Sequence, residues 1–546
     1  MRRSRPALRP VRYAYTAPSR QKVLGALPVV ASVCRQLDLA GIIDRLCPVR
    51  KVAIVSHGQV IEALIANRLT SPQPMVRIEE WAREWAVPEV FGIEADALND
   101  DRIGRALDAI APKHELIAGS VGAQAIARFG LDVSQMHWDM TSISLYGAYE
   151  EPTPGFVTPR WGRPKDRRPD LKQVQTGLAV TTDGGVPVWH RPYDGGAAEV
   201  AQVESAMRSL QELAGRRQFL LIGDSKLISR GNVIAMNLAG VKFIAPGSKY
   251  HVPLERLSAL DRGAATLVEY VAERDTGKPP AQRAVYRILE GTVMIAGKRA
   301  ADPELEVRCV FVWSSVRAHA AATNRTKKLN RARGDLERLQ RGLGGRHYPD
   351  AAAVAERLRA IRRQHKVDAY LRTEVDSSPA GKPTLAWHFD QDALQKEEAS
   401  EGWYGLLTNL EPGEADATEV LVRYKAQETV ERRYGNLKGP LAVAPLFLSS
   451  NRRITALVTV ICLALLIFCL VERGVRRALS PQLTLAGLYA GRPAMPTGRL
   501  IFEALSGLRL NPASDGGLPT IPQPKPLQAR LLELLDVDPT RPRWAS

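Results

Sequence analysis

A chain of 546 residues is too long for one ordinary domain and long enough to bury a large core, so two to four units are expected. Its 75 Lys+Arg against 58 Asp+Glu leave a formal charge of +17, which favours a polyanionic partner such as nucleic acid, although an acidic membrane surface would also satisfy it. Five scattered cysteines, with no Cys-x-x-Cys pair and no Cys/His cluster of zinc spacing, exclude a structural zinc site and point to a reducing compartment.

Residues 1–23 read as a disordered basic arm, either contacting DNA or idle, without the apolar core of a secretory signal. Residues 24–130 read as a helical, DNA-binding domain. In it Ser56 and Gln59 form a capping box ahead of VIEALIANRL, and Asn99 or Asp100 caps a helix through Ile103, Leu107 and Ile110. The acids Asp100, Asp101 and Asp108 fit capping and a solvated face.

From residue 136 the period changes to that of strands. MHWDMTSISLYG is a strand, and TGLAVTT and VPVWHRP flank Asp183-Gly184-Gly185, a hairpin signal. A helix from Glu199 to about Leu213, the strand QFLLIGDS, a helix near SRGNVIAMNLAG and the strand VKFIAPGS follow. Three strands, a helix, a strand, a helix and a strand are the order of an α/β RNase H-like fold, in which the first and fourth strands lie side by side. Residues 131–250 are then the first part of such a core.

Residues 251–415 supply further strands, in AVYRILEGTVMIAGKR and ELEVRCVFVWSS, then two polar helices around a Gly-rich turn. The Lys/Arg density of those helices suits either phosphate contacts or a solvated hairpin. Residues 416–480 form the second part of the core, and 481–546 a C-terminal tail region. Ile454 to Val471 is an uncharged stretch of 18 residues, the lower edge of membrane-spanning length. Its position and its amphipathic continuation ERGVRR read as a buried core helix. His137, His190 and His388 sit beside strand residues without metal spacing.

One constellation carries chemistry. Tyr424, Gln427, Glu431 and Lys438 lie at offsets of 3, 7 and 14 residues from the tyrosine, which return to one face of a helix. Asp139 lies within the first strand and Asp224 closes the fourth, so the two carboxylates are expected as neighbours. Like charges brought together call for a compensating cation. Three carboxylates meeting in space can hold two divalent cations, the arrangement of phosphodiester chemistry.

The Tyr-x2-(Arg)-x3-Glu-x6-Lys signature, the two strand-borne aspartates and the strand order resemble the DDE (Asp-Asp-Glu) transposases of bacterial insertion sequences that carry a Tyr-Arg-Glu-Lys motif. The resemblance extends over LNDDRIGRALD, IGDSKLIS, GWYGLLTNL and the apolar helix ending in VERGVRRAL. It implies that Asp139, Asp224 and Glu431 are the catalytic acids and bind two Mg²⁺ or Mn²⁺ ions. It further implies an inserted β-rich subdomain, and DNA contacts by Tyr424 and Lys438. Gln427 stands where arginine is usual; it can hydrogen-bond a phosphate oxygen but carries no charge. The implied activity is cleavage of terminal inverted repeats and joining of 3′ ends to target DNA, by a homodimer on paired ends in the bacterial cytoplasm, at the nucleoid and not in a membrane. A metal-dependent nuclease without strand transfer, or an inactive DNA-binding derivative, are the alternatives.

Overall fold

The computed structural model describes residues 21–541 apart from 51–52, 150, 163–167, 216, 273–274, 298–302, 379–380, 428–431, 437–447, 449 and 514–517. Glu431 and Lys438 therefore lie outside the described residues.

The fold is mixed α/β, with N-terminal helices packed on a nine-stranded mixed sheet. Its strands are β1 (Gln135–Leu145), β2 (Lys172–Thr181), β3 (Pro187–Tyr193), β4 (Leu220–Ile222), β5 (Lys242–Pro246), β6 (Thr266–Val268), β7 (Tyr286–Ile295), β8 (Leu305–Ser314) and, after a separate hairpin of β9 (Leu371–Ser377) and β10 (Pro383–Phe389), β11 (Trp403–Thr408). The order across the sheet is β3-β2-β1-β4-β5-β11-β8-β7-β6. β1 is antiparallel to β2 and parallel to β4, the first-beside-fourth adjacency expected from the sequence. Asp183-Gly184-Gly185 turns β2 into β3, with both glycines at positive φ, where a side chain would be strained. Within the 251–415 region β9 and β10 form a small sheet of their own, but the other described strands do not. β11, β8, β7 and β6 extend the central one.

Helices cover the sheet and the chain ends. The N-terminal set includes α1 (Leu27–Gln36), α2 (Leu39–Leu46), α3 (His57–Thr70), α4 (Asp100–Ile110) and α5 (His114–Phe129). The Ser56–Gln59 capping box closes α3 reciprocally at 3.0 and 3.1 Å, and Asn99 caps α4. α6 (Glu199–Ala214) joins β3 to β4 and α7 (Arg230–Leu238) joins β4 to β5. α8 (Ser315–Arg341) and α9 (Ala351–His365) form a hairpin that shares its own small core with β9 and β10. α10 (Ala417–Lys425) precedes the long α11 (Asn451–Leu479); α12 (Gly498–Leu505) and α13 (Pro526–Leu534) complete the chain.

Over Ile454–Val471 α11 is apolar around its whole circumference, and a helical stretch with no polar face must be buried on all sides. It is long and apolar enough to cross a membrane, yet all of Ile454–Val471 is buried within the protein. It packs against α1, α3, α4, α5, β3, α12 and α13. The N-terminal helices and the sheet thereby share one continuous core. Asp108, expected on a solvated face, instead pairs with Arg453 of α11 at 2.8 Å.

Candidate functional site

The register of two parallel strands builds the site. Gln135, Met136 and His137 of β1 stand opposite Leu220, Leu221 and Ile222 of β4. Continuing that register by two residues brings Asp139 beside Asp224, just past the end of β4. Residues alternate across a sheet, so Asp139 shares a face with His137, and through the register with Leu220 and Ile222. α10 covers that face over β4 and β5, making a second core with Ile222, Ile244, Val310 and Leu406. α11 reaches the same face further along, where Cys462 meets Thr176 of β2.

A third carboxylate joins them. Glu199, the first residue of α6, offers an oxygen that lies with one from Asp139 and one from Asp224 in a group mutually within 4.8 Å. The Met140 N–H is shared between Asp139 Oδ1 (2.7 Å) and Glu199 Oε1 (3.1 Å), tying α6 to β1. Asp224 Oδ1 accepts from the Lys226 N–H at 2.7 Å, a local turn bond that fixes its rotamer. Asp139 is only 8% exposed. Three carboxylates this close, one of them buried, are costly without positive charge. Carboxylate oxygens at this spacing are the hard donors that Mg²⁺ and Mn²⁺ prefer, so these residues fit such ions.

The signature segment surrounds the acids from above. α10 ends at Lys425, and the Gln427 N–H bonds back to the Tyr424 carbonyl at 3.0 Å. The Gln427 amide, oriented to satisfy both its ends, donates to the Gly223 carbonyl (3.0 Å) and accepts from the Asp224 N–H (3.3 Å). Tyr424 is half-buried against the second core. Lys425 lies over the Tyr286 ring at 4.6 Å and Arg317 over Tyr404 at 4.3 Å. Beyond residue 431, residues 432–436 are again helical. There the Tyr434 hydroxyl donates to the main-chain carbonyl of Asp139. Burial, then the charges of Asp139 and Glu199, push the Tyr434 pKa well above its ordinary value and keep the hydroxyl a donor.

Arg433 is 2% exposed and makes a bidentate pair with Glu472 of α11 at 3.0 and 3.2 Å. It also donates to the carbonyls of Gly184 and Gly185 in the β2–β3 turn. Burial alone would raise the Glu472 carboxyl pKa. Arg433, Arg476 and the Gly498 N–H outweigh it and hold the group below the usual range. Losing one partner of such a pair costs about 3–5 kcal/mol, because the other charge stays buried alone.

Among the described residues, His137, His190 and His388 are not in this carboxylate group. Burial pushes His137 down to about 4; burial, with a smaller effect of His114, pushes His190 down to about 3. Both are neutral inside the fold, and His388 is exposed on β10. Of the sequence-predicted site residues, the structure brings together Asp139, Asp224 and Gln427, and sets Tyr424 one turn away against the core. It adds Glu199 and Tyr434, which sequence reasoning missed. Glu199 had looked only like an acid at a helix start, where acids are common.

A family model described as a domain of unknown function, DUF4277, matches residues 19–116. None of the curated proteins compared with the chain is similar to it. Among solved structures, the chain is similar to the piggyBac transposase synaptic complex with hairpin DNA, at 9% identity over 87% of this chain and 79% of that one, with a TM-score of 0.37. It is also similar to the Mos1 transposase paired-end complex with left transposon end, at 10% identity over 36% of this chain and 60% of that one, with a TM-score of 0.15.

Proposed function

We propose that the chain is a DDE transposase with an RNase H-like core that binds the terminal inverted repeats of an insertion sequence, cleaves the DNA ends and joins the 3′ ends to target DNA. The observation that carries this reading is the in-register meeting of Asp139 and Asp224 on adjacent parallel strands, with a Glu199 oxygen inside the same cluster. Glu431 is the third essential acid in this reading. What supports it is that Gln427 and Tyr434, on either side of it in sequence, reach the main chains of Asp224 and Asp139.

When bound, divalent cations would activate a water against the phosphodiester and stabilise the leaving 3′ oxygen. The chain's own part is to converge the carboxylates and to hold DNA. Asp139 is fixed by its strand and by the Met140 N–H, and Asp224 by its turn bond. Tyr424 and Lys438 are proposed to contact DNA near the cut. A homodimer holding two ends, acting at the bacterial nucleoid, completes the proposal.

The test is cleavage of the element's own terminal repeats with Mg²⁺, with a joining assay to separate transposition from simple nuclease activity. Asp139→Asn, Asp224→Asn and Glu431→Gln each keep side-chain shape but lose charge, and should each abolish cleavage while DNA binding persists. Near wild-type cleavage by any one variant removes that residue from the site.

A further inference from the structure

The two aspartates are held through their main chains as well as their side chains. β4 stops at Ile222, so the peptide joining Gly223 to Asp224 lies past the end of the named strand. A part-buried peptide group needs a partner. The Gln427 amide supplies one, donating to the Gly223 carbonyl and accepting from the Asp224 N–H. Seven residues on, the Tyr434 hydroxyl donates to the carbonyl of Asp139, and the neighbouring Arg433 is locked to Glu472 and the β2–β3 turn. Gln427 and Tyr434 thus reach both acid-bearing strands.

We infer that Gln427 and Tyr434 are positioning residues: together they brace the main chains of Asp224 and Asp139 and so set the spacing of the carboxylates toward a divalent cation. The inference rests on the proposed metal site. It gives a physical reason for glutamine at residue 427. An arginine has five donors and no acceptor, and could not accept from the Asp224 N–H. Glutamine offers both a donor and an acceptor and adds no charge beside the acids. The role of residue 427 is then to hold the second aspartate rather than to neutralise a phosphate.

The experiment measures Mn²⁺ binding by calorimetry on the full chain without DNA, alongside affinity for end DNA without divalent metal across a salt series. The variants are Gln427→Met, which keeps length but loses both bonds, and Tyr434→Phe, which loses one hydroxyl. Removing partners that orient metal ligands typically weakens metal affinity by about 10- to 100-fold. Each variant is expected to weaken Mn²⁺ binding by at least about tenfold on that scale. The salt slope and DNA affinity should stay as in wild type, because no phosphate contact is removed. Should Tyr434→Phe unfold by circular dichroism, Gln427→Met carries the test alone. Unchanged Mn²⁺ affinity in the folded variants overturns the brace, as does a fall in DNA affinity or salt slope for Gln427→Met. Asp139→Asn is the control. If wild type binds no more Mn²⁺ than Asp139→Asn does, the metal-site reading itself fails, independently of the brace.

Discussion

At the scale of single residues, the two aspartates were legible because their chemistry coincides with their strand positions. Asp139 and Asp224 follow apolar strand residues that the sheet must bury, and the parallel register does the rest. Glu199 was not legible, since its role depends on where the β3–α6 connection returns it in space. With an oxygen in the acid cluster and a shared N–H donor, it adds a fourth carboxylate to the proposed site. Glu199→Gln should therefore lower cleavage at limiting Mg²⁺ by about tenfold, the lower end of the usual effect of orienting groups, and recover at high Mg²⁺. Glu431→Gln should not recover. A Mg²⁺ titration of both variants decides between them, and failure of Glu199→Gln to recover would make Glu199 an essential ligand. Gln427 is a different lesson. Its helical offset from Tyr424 suggested a DNA-facing side chain, but α10 ends at Lys425, and the turn after it directs the amide onto the strand end instead.

At the scale of elements, strands, caps and hairpin turn were readable because each rests on local spacing: the Ser56 box, the two turn glycines, the apolar run before Asp224. How the later strands join the sheet was not readable, because pairing between β5 and β11 spans more than 150 residues of chain. The α8–α9 hairpin has its own core and a buried hub, where Asp335 takes His365 at 2.8 Å and also pairs with Arg338 and Arg357. The hydrogen bond from His365, offset by burial but aided by Arg338, holds the Asp335 carboxyl below its usual range. Residues 327–366 carry 12 Lys+Arg against 4 Asp+Glu, so 12 − 4 = +8 of the chain's +17 sits in this stretch. Arg359 and Arg363, four residues apart, are exposed on one face of α9, opposite the buried Leu358 and Ile361 side. If that face tracks a DNA backbone, Arg359→Gln with Arg363→Gln should reduce the salt dependence of DNA binding by roughly two contacts, near 0.9 each in the log–log slope. A salt titration with unrelated duplex DNA checks this, and an unchanged slope would leave the hairpin a solvated element.

At the scale of the whole molecule, α11 is the member around which everything else closes. Its burial was legible from eighteen uncharged residues, whereas its neighbours were not, because a helix apolar on every side points nowhere in particular. The N-terminal helices supply much of its cover, so residues 24–130 share their core with α11, although the matching family model lies almost wholly within them. Expressed alone, residues 19–130 should be insoluble or lack a cooperative thermal transition, since the apolar surface of α1, α3 and α4 that faces α11 would meet water. A soluble fragment with a sharp transition would show that these helices complete a core unaided. The arrangement also has a consequence for synthesis. The N-terminal helices leave the ribosome first but find their central partner only when residues 451–479 have been made, more than 300 residues later. At the usual pace of elongation they wait tens of seconds with uncovered apolar faces. For that interval the nascent chain exposes apolar surface prone to aggregation, and a chain that stops before residue 451 lacks the helix on which its N-terminal helices pack.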